Sequence, residues 1–216
     1  TTSNYVEQST LTNITNRWTC AAATGVISWN GSVSTDWNNA ANWTVVSGTP
    51  SAPPSVNDIV QIGAFVFTNQ PTISSAVSVK SIVMGSAQAV TLTIGGAGSL
   101  TTSGNISGSW SAGIIHTINA GSQGLTINGD LILSDGTSGH AINLSAIAAT
   151  VVINGSLIQA GGASISFTGN TSMSIKNDYT YTSGIFSAGA GTVTYNGTSS
   201  QQIASVTYNN LVINKV

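Results

Sequence analysis

The sequence predicts an all-β chain wound as a right-handed parallel β-helix, a solenoid, with a Trp-rich module capping its N-terminal end. Three observations carry that reading. Charged residues make up only 5% of the 216 positions, so the helix formers Glu, Lys and Arg are scarce, while the β-branched Val, Ile and Thr that suit a pleated surface are abundant. A short apolar-x-apolar-x-Gly/Asn-polar-apolar phrase recurs along the chain. Its period fits one coil of a solenoid, in which each unit buries its apolar face only by stacking on its neighbours. The hand follows from the general preference for right-handed connections between parallel strands. The alternative architecture is a β-sandwich, which also needs strands every 8–12 residues with turn signals between them.

The elements follow in order. Residues 1–25 show little regular alternation and read as an N-terminal arm or lead-in; Thr10 to Trp18 is an extended stretch within it. Residues 26–76 form the Trp/Asn-rich opening and capping module. They contain Trp29-Asn30-Gly31, Asp36-Trp37-Asn38-Asn39-Ala40-Ala41-Asn42-Trp43, a Pro-rich turn through Pro50, Pro53 and Pro54, and the strand Asp58-Ile59-Val60-Gln61-Ile62. Trp29, Trp37 and Trp43 are expected to be a structural cap, because a solenoid end must be shielded from water and from edge pairing. From residue 77 to 216 the repeats take over, and they are expected to continue beyond the sequence. Leu100 to Ile106, Leu125 to Leu131, Val151 to Leu157 and Met173 to Tyr179 share the phrase, with Thr102 breaking it in the first copy. The turns at Gly104, Gly129, Gly155 and Asn177 are spaced by 25, 26 and 22 residues. Gly and Asn are expected there for their tolerance of positive φ.

Charge narrows the function. The net charge is −2, and the basic residues Arg17, Lys80, Lys176 and Lys215 are scattered, so no nucleic-acid partner is expected, since phosphate binding needs clustered Lys and Arg. No apolar run has the ~18 residues of a membrane helix, and the chain reads as not transmembrane. No charged start followed by an apolar run is present, which reads as a removed signal peptide. The lone Cys20 has no internal disulfide partner. The Ser/Thr/Asn/Gly-rich surface points to a secreted protein. Asn-x-Ser/Thr triplets occur at several sites, among them Asn30, Asn42 and Asn154, but in a chain of this composition many arise by chance.

The chemistry-bearing residues are few. Asn105, Asp130, Ser156 and Asp178 fall at equivalent corner positions and read as a polar ladder bonding the backbone or as a binding site. Asp130 and Asp178 would lie two coils apart, at ~10 Å, which is long for paired-carboxylate hydrolysis. Asp135 follows Asp130 across a short strand. Lys176 and Asp178 lack the acidic cluster that a calcium-dependent lyase uses. His116 and His140 are close to one period apart and read as a stacked pair that could share a metal, or as two ordinary surface or corner histidines. Trp29, Trp37, Trp43 and Trp110 could each offer a flat face to a sugar ring, but the first three are expected in the cap. Trp110, Asp130 and Asp178 are therefore the binding candidates; no catalytic residue, cofactor or metal is expected. Thr91, Thr93, Thr101 and Thr126 hint at the Thr rows of ice-binding solenoids, but the rows are incomplete.

The segment from Trp29 through Trp43, Pro53-Pro54 and Asp58-Ile59-Val60-Gln61-Ile62 resembles the opening module of large secreted surface proteins of Bacteroidetes. Gly191 to Gly197, Gln201-Gln202-Ile203 and Tyr208 to Asn214 resemble the strand repeats that follow it in such proteins. The resemblance covers about residues 26–216. It implies export by the type IX route and a non-catalytic adhesive or structural role, as in gliding or attachment. A surface glycan is a candidate partner through the aromatic residues, and neighbouring subunits in a homopolymer through low charge and an exposed strand edge. The lesser alternatives are a carbohydrate-binding module and, after it, a polysaccharide-active β-helix enzyme.

Overall fold

A computed structural model describes residues 24–111 and 113–215, and over these residues the chain is all-β. The expected N-terminal arm up to residue 23, including Cys20, lies outside the described residues. The chain opens with a hairpin of β1 (Gly25–Trp29) and β2 (Trp43–Gly48), paired antiparallel with a bulge between Val26 and Ile27. Six turns follow, each laying one strand in each of three sheets, A, B and C. They are β3 (Ile59–Ile62), β4 (Thr72–Ile73) and β5 (Ala76–Val79); β6 (Ser81–Met84), β7 (Thr91–Ile94) and β8 (Ser99–Thr102); β9 (Ile106–Gly108), β10 (Ile115–Gly121) and β11 (Gly124–Ile127). The next three are β12 (Leu131–Ile132), β13 (Ala141–Ala146) and β14 (Thr150–Ile153); β15 (Leu157–Gln159), β16 (Ser164–Phe167) and β17 (Ser172–Ile175); β18 (Tyr179–Tyr181), β19 (Ile185–Ser187) and β20 (Thr192–Tyr195). A further strand, β21 (Asn210–Ile213), adds to sheet C.

All pairings between turns are parallel, and sheet A is extended at one end by the hairpin through β1 on β3. This is the parallel solenoid the repeats predict and excludes the sandwich alternative, whose sheets are antiparallel. The period-2 alternation aims every second side chain inward, and equivalent residues stack in columns. One column runs Val77, Leu100, Leu125, Val151, Met173 and Val193, all buried. Each such side chain contributes about 1.5–3 kcal/mol on leaving water. Thr102 stands in an apolar column because its hydroxyl donates to Gly104 O at 2.7 Å, leaving no buried donor unmet.

The corner glycines differ from expectation. Gly104, Gly129 and Gly155 do not adopt positive φ, and neither does Asn177. Glycine is needed there for close approach between turns: a Cβ on Gly155 would lie 2.3 Å from Gly129 O, and one on Gly129 2.6 Å from Gly104 C. Positive φ occurs instead where the chain passes from sheet B to sheet C, as at Gly96 and Gly121, and from sheet A to sheet B, as at Gly63, Gly136 and Gly161.

The Trp cluster fills the N-terminal end of the core. Trp29 and Trp37 are fully buried, and Trp43 packs edge-on against both, with ring centroids at 4.9 and 4.7 Å. The loop carrying Trp37 is bonded to the first turn, Trp37 N donating to Thr72 O and Thr72 N to Thr35 O. Buried Asn42 organises that loop: its Oδ1 accepts from Val33 N and Ser34 N, while Nδ2 donates to Ser34 Oγ and Asp36 O. That burial also removes Asn42 as a glycan acceptor.

A second aromatic cluster, which the sequence reading does not anticipate, fills the last turns. Phe186 packs against Phe167, Tyr179 and Tyr208. Buried Gln159 bonds Tyr179 through its carbonyl and donates to Ala163 O and Ile185 O.

Candidate functional site

Three edges separate the three sheets, and they are built differently. On the C–A edge the connections are residue 80 and then 103–105, 128–130, 154–156 and 176–178. They are short because they are tied to the turns beside them. Asp130 N donates to Asn105 Oδ1 at 2.8 Å, Ser156 N to Asp130 Oδ1 at 2.7 Å, and Gln202 N to Asp178 Oδ1 at 2.7 Å. The side-chain amide of Asn154 donates to Asn128 Oδ1, and that of Asn128 to Thr102 O. This edge is therefore a polar ladder that joins turn to turn, in which each carboxylate satisfies a main-chain donor.

The A–B edge is built from longer loops, 63–71, 85–90, 109–114 and 133–140, shortening to 160–163 and 182–184. Trp110 sits here, half-buried. Its ring lies against the backbone of Gly108, where a Cβ would come within 2.5 Å of the indole. The ring of His140, from the next turn, lies nearly parallel to it, 9° off, with centroids 6.3 Å apart. His140 Nδ1 is 3.0 Å from the Asp135 carboxylate, and Asp135 also accepts from Thr137 N at 2.9 Å. The hydrogen bond from His140, with that from Thr137, holds the Asp135 carboxyl below its usual range.

The structure thus separates the three binding candidates. Asp130 and Asp178 lie on the C–A edge with an oxygen of each engaged by the neighbouring turn, while Trp110 lies on the A–B edge. Passage across sheet A fixes this: Asp130 and Asp178 precede strands of sheet A, β12 and β18, whereas Trp110 and Asp135 follow β9 and β12. His140 and Asp135, which the sequence reading treats separately, come together beside Trp110.

The histidine pair is corrected. His116 faces the core of sheet B, aligned with Ile142 in the next turn and not with His140. Its Nδ1 accepts from Val90 N at 3.2 Å, and burial pushes its pKa down to about 4. A core histidine and an edge histidine share no metal. Among the described residues no group of three or more His, Cys, Asp or Glu could hold a metal ion, and no helix is long and apolar enough to cross a membrane.

The Thr rows resolve into polar columns. On sheet B, Thr72, Thr93, Asn119, Ser145 and Ser166 align turn by turn, and Thr91, Thr117, Asn143 and Ser164 run beside them. On sheet C, Thr101 and Thr126 align with each other, but Val152 follows them. Thr, Ser and Asn alternate too freely for the uniform Thr lattice of the ice-binding reading.

Compared with protein-family models, with curated proteins and with solved structures, the chain matches none.

Proposed function

We propose that this chain is a non-catalytic segment of an extracellular bacterial surface protein, with a structural or adhesive role as a stalk. The observation that carries the reading is the use made of the polar side chains on the C–A edge. Asn105, Asn128, Asp130, Asn154 and Asp178 bond the turns together. A solenoid whose core columns and edge ladder both run from turn to turn transmits force along its axis through many parallel bonds. That suits a stalk that holds something away from a surface.

The sparsely charged exterior agrees with an extracellular setting, since Ser, Thr and Asn supply most of the solubility with little field to repel neighbouring subunits. The test is electron microscopy of intact source cells labelled with antibody against this segment, together with deletion of its gene. Label on the cell surface and impaired attachment, gliding or surface integrity are expected. Absence of surface label would sink the extracellular reading. Surface label with normal behaviour in all three assays would sink the role.

A further inference from the structure

We propose that the A–B edge at the third and fourth turns is a binding site for a neutral glycan, with Trp110 as the stacking platform and the His140–Asp135 pair as its polar rim. The inference goes beyond a stalk role, and it is tested on purified protein, so its failure and the failure of the surface reading are distinguishable.

The first ground is where the chain spends its extra residues. Stacking needs only short corners, as the C–A edge shows. The loops 109–114 and 133–140 are longer than anything on that edge, and in solenoids such insertions gather on the face that meets a partner.

The second ground is the pair of rings. Trp29, Trp37 and Trp43 are buried; the indole N–H groups of Trp29 and Trp43 donate to Asn69 O and Trp37 O, and that of Trp37 has no partner among the described residues. Trp110 is half-buried and has no hydrogen-bond acceptor for its indole N–H among the described residues. Gly108 backs the ring with main chain, which holds the indole in place without a side chain competing for its surface. A fixed indole beside a parallel imidazole offers the flat apolar surface on which the C–H face of a sugar ring packs.

The third ground is preorganisation. Asp135 grips His140 at Nδ1, which fixes the largely buried imidazole, 12% exposed, against Trp110. A polar atom held by a second group loses less entropy on binding than a free side chain. Ser109, Ser111, Thr137 and Ser138 place exposed hydroxyls on the same loops.

The fourth ground is charge, which selects the class of glycan. The A–B loops contain no Lys or Arg, and their one acid, Asp135, is paired with His140. Lys80 and Lys176 lie on the C–A edge. A sulfated or uronic polymer would find no cation here, whereas an uncharged polysaccharide meets no penalty.

The experiment is native affinity electrophoresis of the full chain through gels containing xyloglucan, mixed-linkage β-glucan, galactomannan or amylopectin, with alginate and chondroitin sulfate as charged probes. Retardation by at least one neutral polymer is expected. Trp110→Ala should weaken it about tenfold or more, the loss of one good stacking contact, His140→Ala should weaken it less, and Thr126→Ala on sheet C should leave it unchanged. Trp110→Phe keeps a ring and should retain part of the binding, which separates stacking from damage to the fold; circular dichroism checks the latter. The proposal is overturned by no retardation in any neutral gel, by retardation that Trp110→Ala leaves intact, or by preference for the charged polymers. Self-association abolished by Trp110→Ala without glycan binding would assign this edge to contact between copies and would equally overturn it.

Discussion

Buried polar side chains set how this protein responds to acid, and His116 is the clearest case. It is neutral in the core, and burial holds its folded pKa at about 4, below the 6.5 of an exposed histidine. Between those values the unfolded chain binds a proton that the folded chain does not. Stability is therefore full above pH 6.5, falls as pH drops toward 4, and loses nothing further from this group below that. Solvent screening discounts the full shift, leaving on the order of 1–2 kcal/mol, or about 2–8 °C in Tm for a chain of this size. His116→Gln keeps an acceptor for Val90 N without titrating, so its Tm should be flat over this window while wild type declines; parallel declines would show that another group is responsible. Asp58 acts at lower pH. Burial raises its pKa, but the hydroxyls and amides of Ser55 and Ser51 all donate to Oδ2 and outweigh it, so the carboxyl titrates below its usual value. Its contribution is present above the ordinary carboxylate pKa and is lost as pH falls through the folded value. Asp58→Ala should remove that low-pH limb and destabilise at neutral pH by about 1–2 kcal/mol, since half-buried Ser55 and exposed Ser51 lose a charged acceptor. A Tm at pH 7 unchanged by this substitution would refute the clamp.

At the scale of the element, the strands were legible and the corners only partly so. Period-2 alternation names the inward residues directly, which is why the Leu100, Leu125, Val151 and Met173 column can be read off the repeats. Corner conformation depends on how near the adjacent turn comes, which no local pattern reports. Hence Gly129 and Gly155 were identified as corners for the wrong physical reason, close approach having replaced positive φ. The edge site was half legible for the same cause. Trp110 stood out as an aromatic outside the cap, but its meeting with His140 depends on the lengths of two irregular loops. The repeat did hold a hint, because one period of about 25 residues beyond Trp110 lands at Asp135. Three substitutions at two positions test the corner chemistry. Asp130→Asn retains the Oδ1 acceptor for Ser156 N and should be nearly neutral, whereas Asp130→Ala should cost about 1–3 kcal/mol by orphaning that amide. Gly155→Ala must push two turns apart and should cost at least as much, about 1–3 kcal/mol or more. Denaturant midpoints measure both, and equal midpoints for Asn and Ala at position 130 would remove the ladder from the account.

At the scale of the whole molecule, a solenoid is nearly one-dimensional: each turn touches only the turns on either side of it. Stability then sums over turns and their interfaces, and among the described residues every strand pairing between turns joins neighbours. Leu131 and Leu157 are partners in consecutive turns, as are Leu125, Val151 and Met173 in sheet C. Removing residues 131–156 therefore joins Asp130 to Leu157 with every later inward residue still facing inward. The third turn would then stack directly on the fifth, with Leu125 meeting Met173 in sheet C and Ile106 meeting Leu157 in sheet A. The shortened protein should fold, keep its β-rich circular dichroism, and lose about 4.8 Å of length, the spacing of one strand, in small-angle X-ray scattering. Its stability should fall by the share of one turn. Removing 131–151, by contrast, delivers Val152 to the position of Leu131, turning an outward residue inward and placing sheet C sequence in sheet A. Because a one-residue slip moves a whole apolar set to the wrong face, that variant should not fold. If the in-register deletion failed as completely as the misregistered one, the turns would not be independent units, and the additive stalk that underlies the functional proposal would have to be abandoned.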